Sequence, residues 1–179
     1  NFEKGRDWYE RQLCLSDCNP KDVLIGEKTP SYSYVPCCAE RIHSEFPEVK
    51  IIWIFRDPIK RAFSNYLHAV KKGRERRSFE YCVLNESKRM KSNIFKGYCE
   101  RSKYDIQVEH FLKYFTIEQM HFLRFEEVVA DPKSSALKIF NFLNLKDCDI
   151  LKLPFPHSNS TRLPFSKNIQ FFARKYVYD

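Results

Sequence analysis

Glycine is scarce in this chain. Of 179 residues only Gly5, Gly26, Gly73 and Gly97 are glycine, and none stands in a cluster. A loop that wraps backbone N–H groups around a phosphate needs clustered glycines, so these residues contain neither a Walker loop nor a dinucleotide fingerprint. Histidine is also thin, with five scattered copies. The seven cysteines include Cys14-x-x-x-Cys18 and the adjacent Cys37-Cys38, but no paired CxxC spacing. A structural zinc site is not expected, and no metal is assigned. The thiols fit two settings equally, buried in a cytosolic protein or partly paired in a secretory one. No apolar run approaches the ~18 residues of a membrane span, and no signal peptide is visible from Asn1 on. Repeats and low-complexity tracts are absent as well.

What is present is a basic chain with enough apolar residues for a core. The net charge is +8, the isoelectric point is near 9.1, and 43% of residues are hydrophobic. One domain over residues 1–179 is expected. A positive surface suits a polyanion. The runs Lys71-Lys72-Gly73-Arg74-Glu75-Arg76-Arg77 and Lys88-Arg89-Met90-Lys91 carry much of the charge, and the plain alternative for each is a solvated face.

The most informative stretch is Lys50 to Lys72, KIIWIFRDPIKRAFSNYLHAVKK. Ile51 to Phe55 reads as a buried parallel strand. Asp57-Pro58 is a strong helix start, with Asp at the N-cap and Pro at the first helical position. Arg56 thus falls at the carboxyl end of a strand, where open α/β sheets bind ligands. Ser64 lies about two turns into the helix. Two readings fit these residues. Arg56 and Ser64 hold one phosphate group, or Arg56 pairs with Asp57 and Ser64 is ordinary helix surface.

A second segment, Val23 to Tyr34, reads VLIGEKTPSYSY: a short apolar strand running into Glu27-Lys28-Thr29-Pro30. Together, EKTPSYSYVP and IFRDPIKRAFSNY resemble the heparan-sulfate (glycosaminoglycan) branch of the PAPS-dependent sulfotransferases. The likeness continues in Lys4 to Tyr9, in Ser102-Lys103-Tyr104 with His110 to Phe115, in Phe122 to Glu127, and in Phe140 to Leu145. It covers roughly residues 1–145, and the order and spacing of the motifs carry it.

The resemblance implies an α/β fold: a three-layer arrangement with a parallel sheet flanked by helices, of the P-loop NTPase-like sulfotransferase type. The family's first strand and phosphate loop are not among these residues, so the chain is expected to be an N-terminally truncated, partial domain, inactive by itself. The family's general base is expected upstream of Asn1. The resemblance also implies 3'-phosphoadenosine 5'-phosphosulfate (PAPS) as co-substrate and an acceptor hydroxyl or amine, on an anionic glycan. No nucleic acid and no membrane contact are expected in this segment. Lys28 is the implied catalytic cation. Arg56, Ser64 and Arg162 are the implied nucleotide ligands, with His157, Asn159 and Lys167 beside Arg162 in a segment that closes over the nucleotide. Glu27 and Tyr104 are implied on the substrate side, and Ser102 and Tyr104 also read as a helix cap and a core aromatic. Arg61 reads as a helix-surface cation. Two alternatives stay open: a P-loop nucleotide kinase-like phosphotransferase, and a noncatalytic polyanion-binding module. The Golgi lumen is the favoured compartment, with Asn85-Glu86-Ser87 and Asn159-Ser160-Thr161 as sequons, and the cytoplasm is the alternative.

Overall fold

Five consecutive apolar residues, Ile51–Phe55, form strand β1 of the computed structural model, which describes residues 4–12 and 24–145. β1 pairs in parallel with β2, Met120–Arg124, so that Ile51 faces Met120 and Phe55 faces Arg124. Parallel partners need a long crossover between them. Here the crossover supplies four of the eight α-helices among the described residues, and the architecture is α/β with a parallel sheet flanked by helices, as expected. The described chain divides into two compact units. One comprises the residues up to Val49 with Gln107–Ile117, and the other comprises Lys50–Ile106 with the residues from Glu118 on.

In the first unit, α1 spans Gly5–Gln12 and α2 spans Cys38–Glu45. Ala39 on α2 is buried, as are Phe111 and Phe115. The His43 ring stands edge-on to Phe115 with centroids 5.4 Å apart, and His110 Nε2 lies 2.6 Å from the Pro36 carbonyl. A strand expected over residues 23–28 does not form in the described part, residues 24–28. Strand structure needs a neighbour for its N–H and C=O groups. No described strand pairs with this segment, and Leu24 and Ile25 are exposed.

In the second unit the chain passes from β1 straight into α3, Pro58–Lys71. The Asp57 carboxylate accepts from Lys60 N at 2.8 Å, capping the helix, while Pro58 occupies its first turn. Ile59, Ala62, Phe63, Tyr66 and Leu67 follow the i, i+3, i+4 spacing and form one stripe. That stripe packs on Phe79, Cys82 and Val83 of α4, Phe79–Leu84, and on Tyr98 and Cys99. Phe63 meets Phe79 edge-to-face at 5.2 Å. Short α5, Glu86–Met90, leads to a 3₁₀ turn, Glu100–Ser102, and to α6, Tyr104–Phe111. α6 starts only after that turn and ends at Phe111.

After β2 come α7, Phe125–Ala130, and α8, Pro132–Leu143. Asp131 caps α8 as Asp57 caps α3, accepting from Ser134 N at 3.0 Å. Asn144, in the left-handed region at φ 58°, ends it. The Phe142 ring stacks on His121 at 5.1 Å, so α8 covers the β2 side of one sheet face. Ile52 and Ile54 on the β1 side of that face remain open, whereas Trp53 is buried on the other. The reading of β1 as buried on both faces therefore holds for one face only among the described residues.

Arg61 corrects another expectation. It is no surface cation. Its Nε donates to Ser102 Oγ at 2.6 Å, and Nη2 donates to the Tyr98 carbonyl. Ser102, 2% exposed, donates in turn to Pro58 O at 2.9 Å. Burial pulls the guanidinium down to about 10, which leaves it charged at neutral pH. The network ties the first turn of α3 to the 98–102 segment. Ser102→Ala should leave the buried Arg61 Nε unsatisfied and cost about 1–3 kcal/mol in urea unfolding. A loss under ~0.5 kcal/mol, the range of an ordinary surface change, would show that the network does not anchor the helix.

Candidate functional site

The carboxyl ends of β1 and β2 lie side by side because the strands are parallel and in register. Phe55-Arg56 and Arg124 therefore converge. They line a cleft of about 400 Å³ with Asp57, Pro58, Lys60, Tyr104 and Glu126. The Arg56 guanidinium lies 4.9 Å over the Phe125 ring. Among the described residues Arg56 pairs with no carboxylate. The Arg56–Asp57 pairing left open by the sequence is not formed, because the Asp57 carboxylate is used at the helix cap. Glu126 is also engaged, accepting from Asp57 N at 3.3 Å. Arg124 reaches Glu127 at 3.9 Å, but both are well exposed and such a pair contributes little.

The cleft thus holds three cations, Arg56, Lys60 and Arg124, around the N-terminus of a 14-residue helix. An α-helix start favours an anion through its free N–H groups and its dipole. Tyr104 closes one side. Its ring packs on Phe55 at 4.7 Å. Burial raises the phenol's pKa, opposed by the charges of Arg61 and Arg56 and by a hydrogen bond from the Arg56 backbone. Ser64 stands on α3 one turn beyond Lys60, on the same helix face, and is half-buried. It is not part of the cleft wall. Ser102 sits in the Arg61 network and is closed to solvent.

Glu27 and Lys28 belong to the other unit and form their own cluster. Three hydroxyls donate to the Glu27 carboxylate: Tyr9 at 2.5 Å, Tyr32 at 2.6 Å and Thr29 at 2.8 Å. Burial would raise the Glu27 pKa, but the hydroxyls outweigh it and hold the group below its ordinary value. The same contact, after burial, raises both Tyr9 and Tyr32. Glu27 is therefore a fixed anion that shapes the turn carrying Lys28. A carboxylate offers about four acceptor positions, so one remains for a further donor. Lys28 is exposed, with no carboxylate partner among the described residues. Arg162, with His157, Asn159 and Lys167, lies outside the described residues.

The model of the sulfotransferase family matches residues 4–149, and the chain belongs to that family. Among curated relatives it is 31% identical over 150 residues to heparan sulfate glucosamine 3-O-sulfotransferase 5 of mouse and of human. It is 30% identical over 156 residues to human heparan sulfate glucosamine 3-O-sulfotransferase 3B1. These matches take in 81–82% of this chain but 42% and 37% of the relatives, so the chain spans about two-fifths of their length. Among solved structures, a sulfotransferase from Alicyclobacillus acidocaldarius superposes with a TM-score of 0.78 at 26% identity, covering 97% of this chain and 67% of that one. The sulfotransferase domain from the curacin biosynthetic pathway has a TM-score of 0.58 at 16% identity, with 96% and 68% covered, and shares the fold.

Sequence reasoning missed Lys60, Arg124 and Glu126. The signal for Arg124 was there: it ends Met120–Arg124 as Arg56 follows Ile51–Phe55, and parallel strands deliver both ends to one edge. Tyr32→Phe removes one donor to Glu27 and should raise the Glu27 titration midpoint, read by carboxyl ¹³C NMR. Because the folded pKa lies below the ordinary value, the Glu27 contribution to stability is present at neutral pH and fades as pH falls below ~4.3. An unmoved midpoint would mean the hydroxyl contacts do not set the charge of Glu27.

Proposed function

We propose that this protein transfers a sulfuryl group from PAPS to a hydroxyl or amine of an anionic glycan of the heparan sulfate kind. Arg56 carries the reading: an arginine with no carboxylate partner among the described residues, at the carboxyl end of a parallel strand, in a chain of the sulfotransferase family. The similarity to heparan sulfate 3-O-sulfotransferases supports the acceptor class, and family membership argues against the kinase-like alternative. We place the reaction in the Golgi lumen, as the resemblance implies.

In this reading the 3'-phosphate takes a bidentate pair of hydrogen bonds from the Arg56 guanidinium and one from the Ser64 hydroxyl. Lys60 and the start of α3 add positive potential. Tyr104 fills the wall beside Arg56, and Arg162 contributes a further cation to the nucleotide. Transfer is an in-line displacement: the acceptor oxygen or nitrogen bonds to sulfur as the bond from sulfur to the 5'-phosphate oxygen breaks. That oxygen leaves with the electron pair on 3'-phosphoadenosine 5'-phosphate, and the acceptor's proton goes to a base not assigned among these residues. Charge spreads over the equatorial oxygens, so positioning and fixed cations dominate catalysis. Lys28 is the cation for the transferring group. Glu27 holds the Lys28 turn through its hydroxyl partners and offers its remaining acceptor position to the substrate.

Calorimetric titration with 3'-phosphoadenosine 5'-phosphate tests the nucleotide assignment. Losing the charge-assisted contact costs about 1.5–3 kcal/mol, so Arg56→Ala should weaken binding roughly 10- to 150-fold. Adenosine 5'-phosphosulfate, which lacks the 3'-phosphate, should bind the variant and the parent about equally. Equal losses for both ligands would make Arg56 a structural residue.

Turnover tests Lys28. Removing one preorganised donor costs about 10²–10³ in rate, so Lys28→Ala should lower kcat by that factor. Affinity for 3'-phosphoadenosine 5'-phosphate, which lacks the sulfuryl group, should hold. Retained turnover with a raised acceptor KM would reassign Lys28 to acceptor binding.

A further inference from the structure

At the far end of α3 the chain builds a second basic cleft. The helix closes through Gly73 at φ +68°, with Gly73 N donating to Val70 O and Arg74 N to Ala69 O, both at 2.9 Å. This is the paired hydrogen bonding of a helix end with a left-handed residue, so the direction of the next residues is fixed. Glu75 then turns inward and is 8% exposed. One of its oxygens accepts from Arg76 N and Arg77 N, each at 3.0 Å. The other accepts from the Arg89 guanidinium and from the Tyr98 hydroxyl, at 3.2 Å. Burial would raise its pKa, yet Arg89 and the Arg77 N–H hold the carboxyl down at about 2. Glu75 is thus ionised and fully engaged, with no capacity left to neutralise anything but Arg89.

The neighbours of an inward residue point outward. Arg74, Arg76 and Arg77 are exposed and, with Lys96 and Tyr81, line a cleft of about 350 Å³. Among the described residues none of these four cations has a carboxylate partner. The Arg77 guanidinium sits 5.1 Å over the Tyr81 ring, which is 44% exposed. The cleft is separate from the one around Arg56. The two lie at opposite ends of α3, whose 14 residues span about 20 Å.

We propose that this cleft is a second anion subsite, holding sulfate and carboxylate groups of the acceptor glycan at a distance from the transferred group. The inference rests on the glycan reading of the function. Several guanidiniums on a braced turn fit repeated anionic groups along a chain, each fork matching an oxyanion in pairs. The exposed Tyr81 ring offers a flat apolar face for a sugar ring. Bracing by Glu75 means little side-chain and loop order has to be created on binding. Long acceptors engage this cleft as well as the place of transfer, and short ones engage the place of transfer alone.

The test uses size-defined heparin oligosaccharides, with 3'-phosphoadenosine 5'-phosphate titrated in parallel. In Arg74→Ala/Arg77→Ala, affinity for a long oligosaccharide should fall about tenfold or more, with the salt dependence of log Kd flattened by roughly 1–2. Affinity for a tetrasaccharide and for the nucleotide should stay within twofold. Lys133→Ala/Lys138→Ala, which removes the same charge from the exposed side of α8, should leave long-oligosaccharide binding unchanged. Equal losses in the two double variants, or none in the first, would overturn the proposal. So would a single-stranded RNA of matching charge that binds as tightly with the same dependence on Arg74 and Arg77. A parent protein that fails to bind the nucleotide would instead sink the sulfuryl-transfer reading, an outcome read in a separate titration.

Discussion

Between the last residue of β1 and the first of α3 stand only Arg56 and Asp57. Asp57 is held by its cap to Lys60 N at 2.8 Å, and Pro58 fixes its own φ. The strand cannot lengthen and the helix cannot begin later without losing the cap. That constraint sets the rotation of α3. Ile59, Ala62 and Phe63 turn into the core, and Arg61 turns to Ser102 and the Tyr98 carbonyl. Residues 98–102 are thereby drawn to the start of α3, and Tyr104 follows beside Phe55 and Arg56. A shift of one residue would rotate every side chain on α3 by about 100° and undo both the core stripe and the cleft.

The charges obey a common rule. Carboxylates near the basic surfaces are used up internally. Asp57 caps a helix, and Glu75 takes two backbone N–H groups, a guanidinium and a phenol. Glu86 takes the N–H groups of Tyr98, Cys99 and Glu100, and burial still raises its pKa. Anions spent this way do not cancel their cationic neighbours. Among the described residues of the second unit, cations thus gather in two basic clefts. Localised potential steers anionic ligands to particular places on the surface.

Much of this was legible in the sequence, for reasons that differ by element. The β1–α3 unit was readable because Asp-Pro states a helix start chemically, and the structure shows the same device again where Asp131 caps α8. Arg56 was readable from its place at a strand end. Arg61 was not. A cation on a helix reads as surface, and its partners, Ser102 and the Tyr98 carbonyl, stand about 40 residues away in sequence and meet it only through tertiary packing. The strand expected at residues 23–28 failed because local β-propensity cannot supply a neighbouring strand. Lys60, Arg124 and Glu126 join the cleft through parallel register and helix phase, which single positions do not reveal. The basic run Arg74-Glu75-Arg76-Arg77 had the plain reading of a solvated face, and its inward Glu75 is what makes it a shaped surface.

A crystal structure of the protein with 3'-phosphoadenosine 5'-phosphate tests the central claim most directly. The account predicts the 3'-phosphate at the carboxyl end of β1, within hydrogen-bond distance of the Arg56 guanidinium and the Ser64 hydroxyl. A nucleotide bound elsewhere, with Arg56 still resting on the Phe125 ring and touching no phosphate, would contradict it.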